Sequence, residues 1–213
     1  MSVETVQLLN QIEDQIHSSV SNVEFYLSLV DEMDDVTLVS KVRHYLKSTR
    51  VPLRQLSQLN QNVKLLRSGL EKRPRDSALM LKDRVTIRTL FNDSLFSVHS
   101  FLEEKQVDVI TEFSGLQDYR VFMPMKLGIQ CLSSLFYFFY KICQGNETLF
   151  VVCKVLENKG IRLTMYIKHI DLRSFSESIE YKSLCELSKL SDGYLSRIED
   201  EGQYKLQFEL PGN

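Results

Sequence analysis

The chain has 213 residues, 43% hydrophobic and 25% charged, and its 26 basic and 28 acidic side chains are interspersed to a net charge of −2. This is the composition of a globular protein of one large or two small domains, without the polarity of a disordered chain or the basic excess of a nucleic-acid binder or membrane-surface protein. No apolar run approaches the ~18 residues of a bilayer span, and the chain opens on polar Ser2 and Glu4, so neither a membrane helix nor a signal peptide is expected.

The first predicted element is a helix over 6–30. Leu9, Ile12, Ile16, Val20, Val23, Leu27 and Val30 recur in steps of three and four with no Gly or Pro between them, the stripe a helix buries on one side. His17 follows Ile16 on the margin of that stripe, beside Ser18 and Ser19, so its imidazole is expected to reach solvent. After the acidic cluster Asp31, Asp34 and Asp35, which offers caps, a second helix is predicted from about 36 to 70. Its heptad-like apolar positions include Val39, Val42, Leu46, Leu53, Leu56, Leu59, Val63, Leu66 and Leu70, with a kink expected at Pro52. Two long helices with a short connection form an antiparallel hairpin. Its stripe is too long to bury within one hairpin, so two copies pairing as a four-helix bundle is the expected assembly.

Glu71–Asp76 is charged and contains Pro74, and reads as part of a linker over 73–83. Beyond it the pattern is mixed. Val85-Thr86-Ile87 reads as a short strand, 88–105 as a helix, and 107–110 as a strand with in-out alternation. Residues 124–143 form a strongly apolar helix in which Phe136, Tyr137, Phe138, Phe139 and Tyr140 are consecutive. The run reads as a core helix backing the sheet rather than an aromatic ligand pocket, although five adjacent aromatics encircle a helix, so some are expected to face a partner, a cavity or the hairpin. Strands 149–156 and 162–170 flank the turn Glu157-Asn158-Lys159-Gly160, where Gly or Asn is expected to take the positive backbone angle. A helix over 181–190 and a strand over 204–210 complete an α+β layer. Cys131, Cys143, Cys153 and Cys185 show no Cys-x-x-Cys spacing and read as reduced, buried thiols rather than a zinc site.

This order of elements resembles the transmitter core of sensor histidine kinases: a dimerisation and histidine-phosphotransfer hairpin, here 1–72, followed by a GHKL-type ATPase-like α/β sandwich, here 84–213. Laying Tyr26-Leu27-Ser28-Leu29-Val30 on the end of the family's first helix puts Asp14 at the acceptor-histidine position, His17 where an Arg usually stands, and Ser19 in place of a Pro. The segment 132–141 looks like the family's N box, but the Asn that holds magnesium corresponds to Phe138. His169-Ile170-Asp171 stands where the adenine-reading Asp-x-Gly should be, and no glycine occurs between Asp171 and Asp192, where the phosphate-closing lid is Gly-rich. Asp192-Gly193-Tyr194-Leu195 resembles the turn before the family's final hairpin, and Phe208-Glu209-Leu210-Pro211 its terminal strand.

Triphosphate binding needs close backbone amides and a metal held by oxygen or amide ligands, and a phenylalanine ligates nothing. The resemblance therefore implies a degenerate core that binds no ATP, is not an ATP-dependent kinase and needs no cofactor, Mg²⁺ entering only through a partner receiver domain. Such cores serve as phosphorelay phosphotransferases or as pseudokinase adaptors that dock a response regulator or histidine kinase. For transfer, His17 is the candidate phosphoacceptor, with Asp14 or Glu13 as the group that orients its ring; the competing reading is a surface histidine without chemistry. His44, His99 and His169 are weaker candidates. The expected protein is a cytosolic homodimer, and a third possibility is a helical interaction or chaperone-like protein. Gly-x-Ser-x-Gly, His-Glu-x-x-His and phosphate-loop motifs are all absent from the sequence.

Overall fold

The structure is a computed structural model that describes residues 3–31, 53, 56, 57, 59–67, 82–113, 115, 116, 118–168, 170, 178–200 and 202–210. The chain divides into two compact units, Met1–Lys64 and Leu65–Asn213. The inter-helix connection, the Pro52 kink, most of the linker, His44 and His169 lie outside the described residues.

In the first unit α1 (Val3–Asp31) is continuous, as its uninterrupted three-four spacing requires. Leu8, Leu9 and Ile12 are buried, Ile16 and Val23 are half-buried, and Val20 is 37% exposed. The stripe is thus closed near the start of the helix and open further along. Within the predicted second helix the described residues are all helical; α2 (59–67) buries Leu59, Val63 and Leu66 in the expected register, together with Leu65.

The second unit begins with β1 (Lys82–Thr86) and α3 (Ile87–Glu104). Ile87, expected as the end of a strand, opens the helix instead. The Thr86 side chain accepts a hydrogen bond from the Thr89 amide at 3.1 Å and so caps α3 one residue earlier. β2 (Asp108–Glu112) follows, then β3 (Arg120–Pro124), which pairs antiparallel with β1. β3 was not anticipated, although the alternation of exposed Arg120 and Phe122 with buried Val121 and Met123 is a readable strand signal. α4 (Met125–Ile142) is followed by β4 (Thr148–Val155) and β5 (Ile161–Ile167). α5 (Ile179–Leu190) then leads into the hairpin β6 (Tyr194–Asp200) and β7 (Gln203–Leu210).

The main sheet has the order β2-β4-β5-β7-β6, parallel at β2–β4 and antiparallel elsewhere. One face is sealed by Leu149, Val151, Cys153, Leu163, Met165, Leu206 and Phe208, while the intervening Phe150, Arg162, Thr164 and Tyr166 are half-buried on the other. α4 packs between α3 and α5. All five consecutive aromatics are buried, from Phe136 at 0% to Tyr140 at 6% exposed, as a core helix requires. Phe91 and Phe101 of α3 meet Phe136 and Tyr137 edge-on, and Tyr181 of α5 meets Phe138, so neighbours on both sides absorb the ring of aromatics.

Two further details differ from expectation. In the β4–β5 turn Lys159, not Asn158 or Gly160, takes the positive φ of 61°, while the Asn158 side chain accepts from the Gly160 amide at 2.9 Å and fixes the turn from within. β2 runs two residues past the predicted 107–110: the alternation holds through buried Val107, exposed Asp108, half-buried Val109 and exposed Ile110, and lapses at exposed Thr111 on this sheet edge. Cys131, Cys143 and Cys153 are buried and Cys185 half-buried, all as free thiols.

Candidate functional site

Two regions carry the candidate chemistry, one in each unit. On α1, His17 is exposed, as its place on the margin of the stripe predicts, and Asp14 one turn earlier is also exposed; Glu13 is half-buried. Among the described residues no hydrogen bond or ion pair joins His17 to Asp14 or Glu13. The buried Ser19 hydroxyl donates to the Gln15 carbonyl at 2.9 Å, so a position that is Pro in the resembled motif is here tied back into an unbroken helix.

In the second unit the N-box-like segment lies on α4. Phe138 is 2% exposed, with its ring centroid 5.7 Å from that of Phe139 and 6.2 Å from that of Tyr181. Beside it, Tyr137 is 3% exposed and its hydroxyl has no hydrogen-bond partner among the described residues. Burial first, then the nearby Glu180 carboxylate and Tyr140, push the Tyr137 phenol far above its ordinary range, so it stays neutral. The facing N-terminus of α5 is already occupied. Ser178 caps it by accepting from the Tyr181 amide at 3.2 Å, and Glu180 sits in its first turn. A helix start furnished with its own acceptor and carboxylate is poorly disposed toward a further anion. Tyr181 is half-buried, and burial followed by its contact with Cys185 raises its phenol as well.

Asp192 stands at φ 54° where α5 ends, with its amide donating to the Lys189 carbonyl at 3.1 Å and the Gly193 amide to the Ser188 carbonyl at 2.8 Å. This is the left-handed C-cap that turns the chain into β6. The Asp192 carboxylate pairs with Lys82 of β1. Sequence reasoning missed this pair, since nothing in the spacing of Lys82 and Asp192 links them. His99 on α3 is exposed and pairs with Glu103 at 3.1 Å one turn on. Among the described residues no group of His, Cys, Asp and Glu is arranged to hold a metal ion, and no helix is long and apolar enough to cross a membrane.

No family model matches the sequence, and no curated protein matches it. Solved structures do match. The histidine kinase AdeS of Acinetobacter baumannii superposes with a TM-score of 0.66 at 11% identity, over 92% of this chain and 96% of that one. The histidine kinase ThkA, solved in complex with the response regulator TrrA, gives 0.65 at 14% identity over 97% of this chain and 61% of ThkA. A structure described as a bacterial phosphotransferase gives 0.56 at 11% identity, over 98% of this chain and 97% of that one. At such identities the likeness speaks for architecture: the chain has the fold of a histidine kinase core.

Proposed function

We propose that this protein is a two-component signalling element that works without nucleotide of its own and docks a response-regulator receiver beside α1. The observation that carries this reading is Phe138. Where the resembled family places a magnesium-holding Asn, this chain has a ring buried to 2% against Phe139 and Tyr181, beside a neutral Tyr137 and a helix start already capped by Ser178. Aromatic packing occupies the place a metal-bound triphosphate needs.

The activity proposed is phosphoryl transfer through His17. An unprotonated imidazole nitrogen attacks the phosphorus of the receiver's aspartyl phosphate in line; the N–P bond forms as the acyl P–O bond breaks, and the aspartate leaves as carboxylate. The receiver supplies the Mg²⁺, so no metal is required of this chain. Support comes from the exposure of His17 on a rigid helix and from the likeness, over nearly the full length of both chains, to a structure described as a phosphotransferase. The half-open stripe of Ile16, Val20 and Val23 favours pairing of two copies along α1.

A second reading, a non-catalytic adaptor, is favoured by a specific fact: the position aligned with the family's acceptor is Asp14, and His17 has no orienting partner among the described residues. The two separate on one experiment. Incubation with a phosphorylated receiver is expected to give acid-labile label on the wild-type chain and none on His17→Ala. No label on wild type while the receiver still binds assigns the protein to the adaptor class, and label retained in His17→Ala rules out His17 as the acceptor.

A further inference from the structure

A cleft of about 600 Å³ lies between the last turns of α3 and strand β2. Its apolar floor is Leu95, Leu102, Val107 and Val109, and its rim carries His99, Glu103 and Asp108. The turn that creates it is a left-handed helix cap. Gln106 takes φ 54°, its amide donates to the Glu103 carbonyl at 3.0 Å, and the Val107 amide donates to the Leu102 carbonyl at 2.8 Å. That geometry sets Val107 against Leu102 and swings β2 alongside the helix it has just left.

Three features of this cleft point to one kind of occupant. First, β2 is an outer strand of the sheet. Its Asp108 amide donates to the Glu147 carbonyl at 3.0 Å, so by strand alternation the amides and carbonyls of Val109 and Thr111 face the open edge. Second, the two faces of β2 differ: Val109 pairs with buried Leu149 and lines the cleft, whereas exposed Asp108, Ile110 and Glu112 pair with Thr148, Phe150 and Val152 and alternate onto the opposite face. Third, the charge is one-sided. Glu103 and Asp108 line the cleft and no Lys or Arg does. Lys105, the nearest cation in sequence, is turned away and donates to the Tyr140 and Cys143 carbonyls at the end of α4. Exposed Glu112 stands with Asp108 on the outer face of β2.

We infer that this edge is a docking slot for an extended segment of a partner protein in which apolar and basic residues alternate, added to the sheet as a sixth strand beside β2. Main-chain bonds to Val109 and Thr111 supply the pairing, the apolar residues fill the floor, and the basic ones, on the opposite face of the strand, meet Asp108 and Glu112. The inference stands independently of the role of His17.

The test uses the full chain and a fluorescein-labelled heptapeptide of alternating lysine and valine, followed by anisotropy. Saturable binding is expected, weakened at least about tenfold when alternate peptide nitrogens are methylated, because strand pairing is removed while charge is kept. A similar loss is expected from the charge reversal Asp108→Lys with Glu112→Lys, both exposed positions. Equal binding of the methylated peptide, equal binding of a peptide with glutamate in place of lysine, or no binding at about 1 mM overturns the proposal.

Discussion

Replacing Phe138 by Ala asks directly whether the N-box-like region is solid core or a lined pocket. The ring is 2% exposed and lies between Phe139 and Tyr181, at 5.7 and 6.2 Å between centroids. Losing its transfer free energy alone costs about 1.5–3 kcal/mol. The cavity left behind raises the expected loss to about 3–5 kcal/mol, the range for buried Phe→Ala. For a unit of this size that corresponds to a fall in Tm of roughly 10 °C. Phe96→Ala is the control: Phe96 is 84% exposed on α3, and its removal is expected to change stability by no more than about 0.5 kcal/mol. Urea unfolding followed by near-ultraviolet circular dichroism reads both. A loss below about 1 kcal/mol for Phe138→Ala would refute the reasoning, because it would mean the ring borders open space into which a ligand fits.

Three other outcomes follow from single observations. The Lys105 ammonium donates to the Tyr140 and Cys143 carbonyls at 2.8 and 2.5 Å, so Lys105→Met should lower stability by about 1.5–3 kcal/mol in the same unfolding assay. A Cβ on Gly193 would stand 2.7 Å from the Glu209 carbonyl oxygen, a backbone atom that cannot swing aside; Gly193→Ala should therefore cost about 1–3 kcal/mol by thermal melting. Burial pushes the Cys131 and Cys143 thiols up to about 12 and the Cys153 thiol to about 11. Between pH 9 and these values the unfolded chain has released thiol protons that the folded chain still holds. Stability should thus be complete below pH 9 and fall as pH rises through that window, and at neutral pH these three thiols should react with Ellman's reagent only after denaturant is added.

Much of the architecture was legible because it rests on periodicity. The uninterrupted steps of α1, the Leu59-Val63-Leu66 register of α2, and the strict alternation of β5 each encode their own burial. What escaped notice was set by short, local signals. β3 carries an alternation of only a few residues, completed by its pairing with β1, and residue 87 fell to the helix because of a single cap at Thr86. The aromatic run on α4 was ambiguous for a different reason: encirclement is visible in sequence, but whether neighbours close the circle depends on Phe91, Phe101 and Tyr181, more than 30 residues away on either side. The exposure of His17 was readable from its place beside the stripe, whereas whether Asp14 orients it was not, since an i, i+3 spacing permits a contact without enforcing it.

The account turns on whether this core retains room for a nucleotide. Isothermal titration of the full-length chain with ATP and Mg²⁺, repeated with EDTA, tests that most directly. We predict no saturable heat into the millimolar range and an unchanged melting temperature. Stoichiometric Mg²⁺-dependent binding that raises the melting temperature would contradict the reading of Phe138, and with it the proposal of a signalling core that acts without ATP.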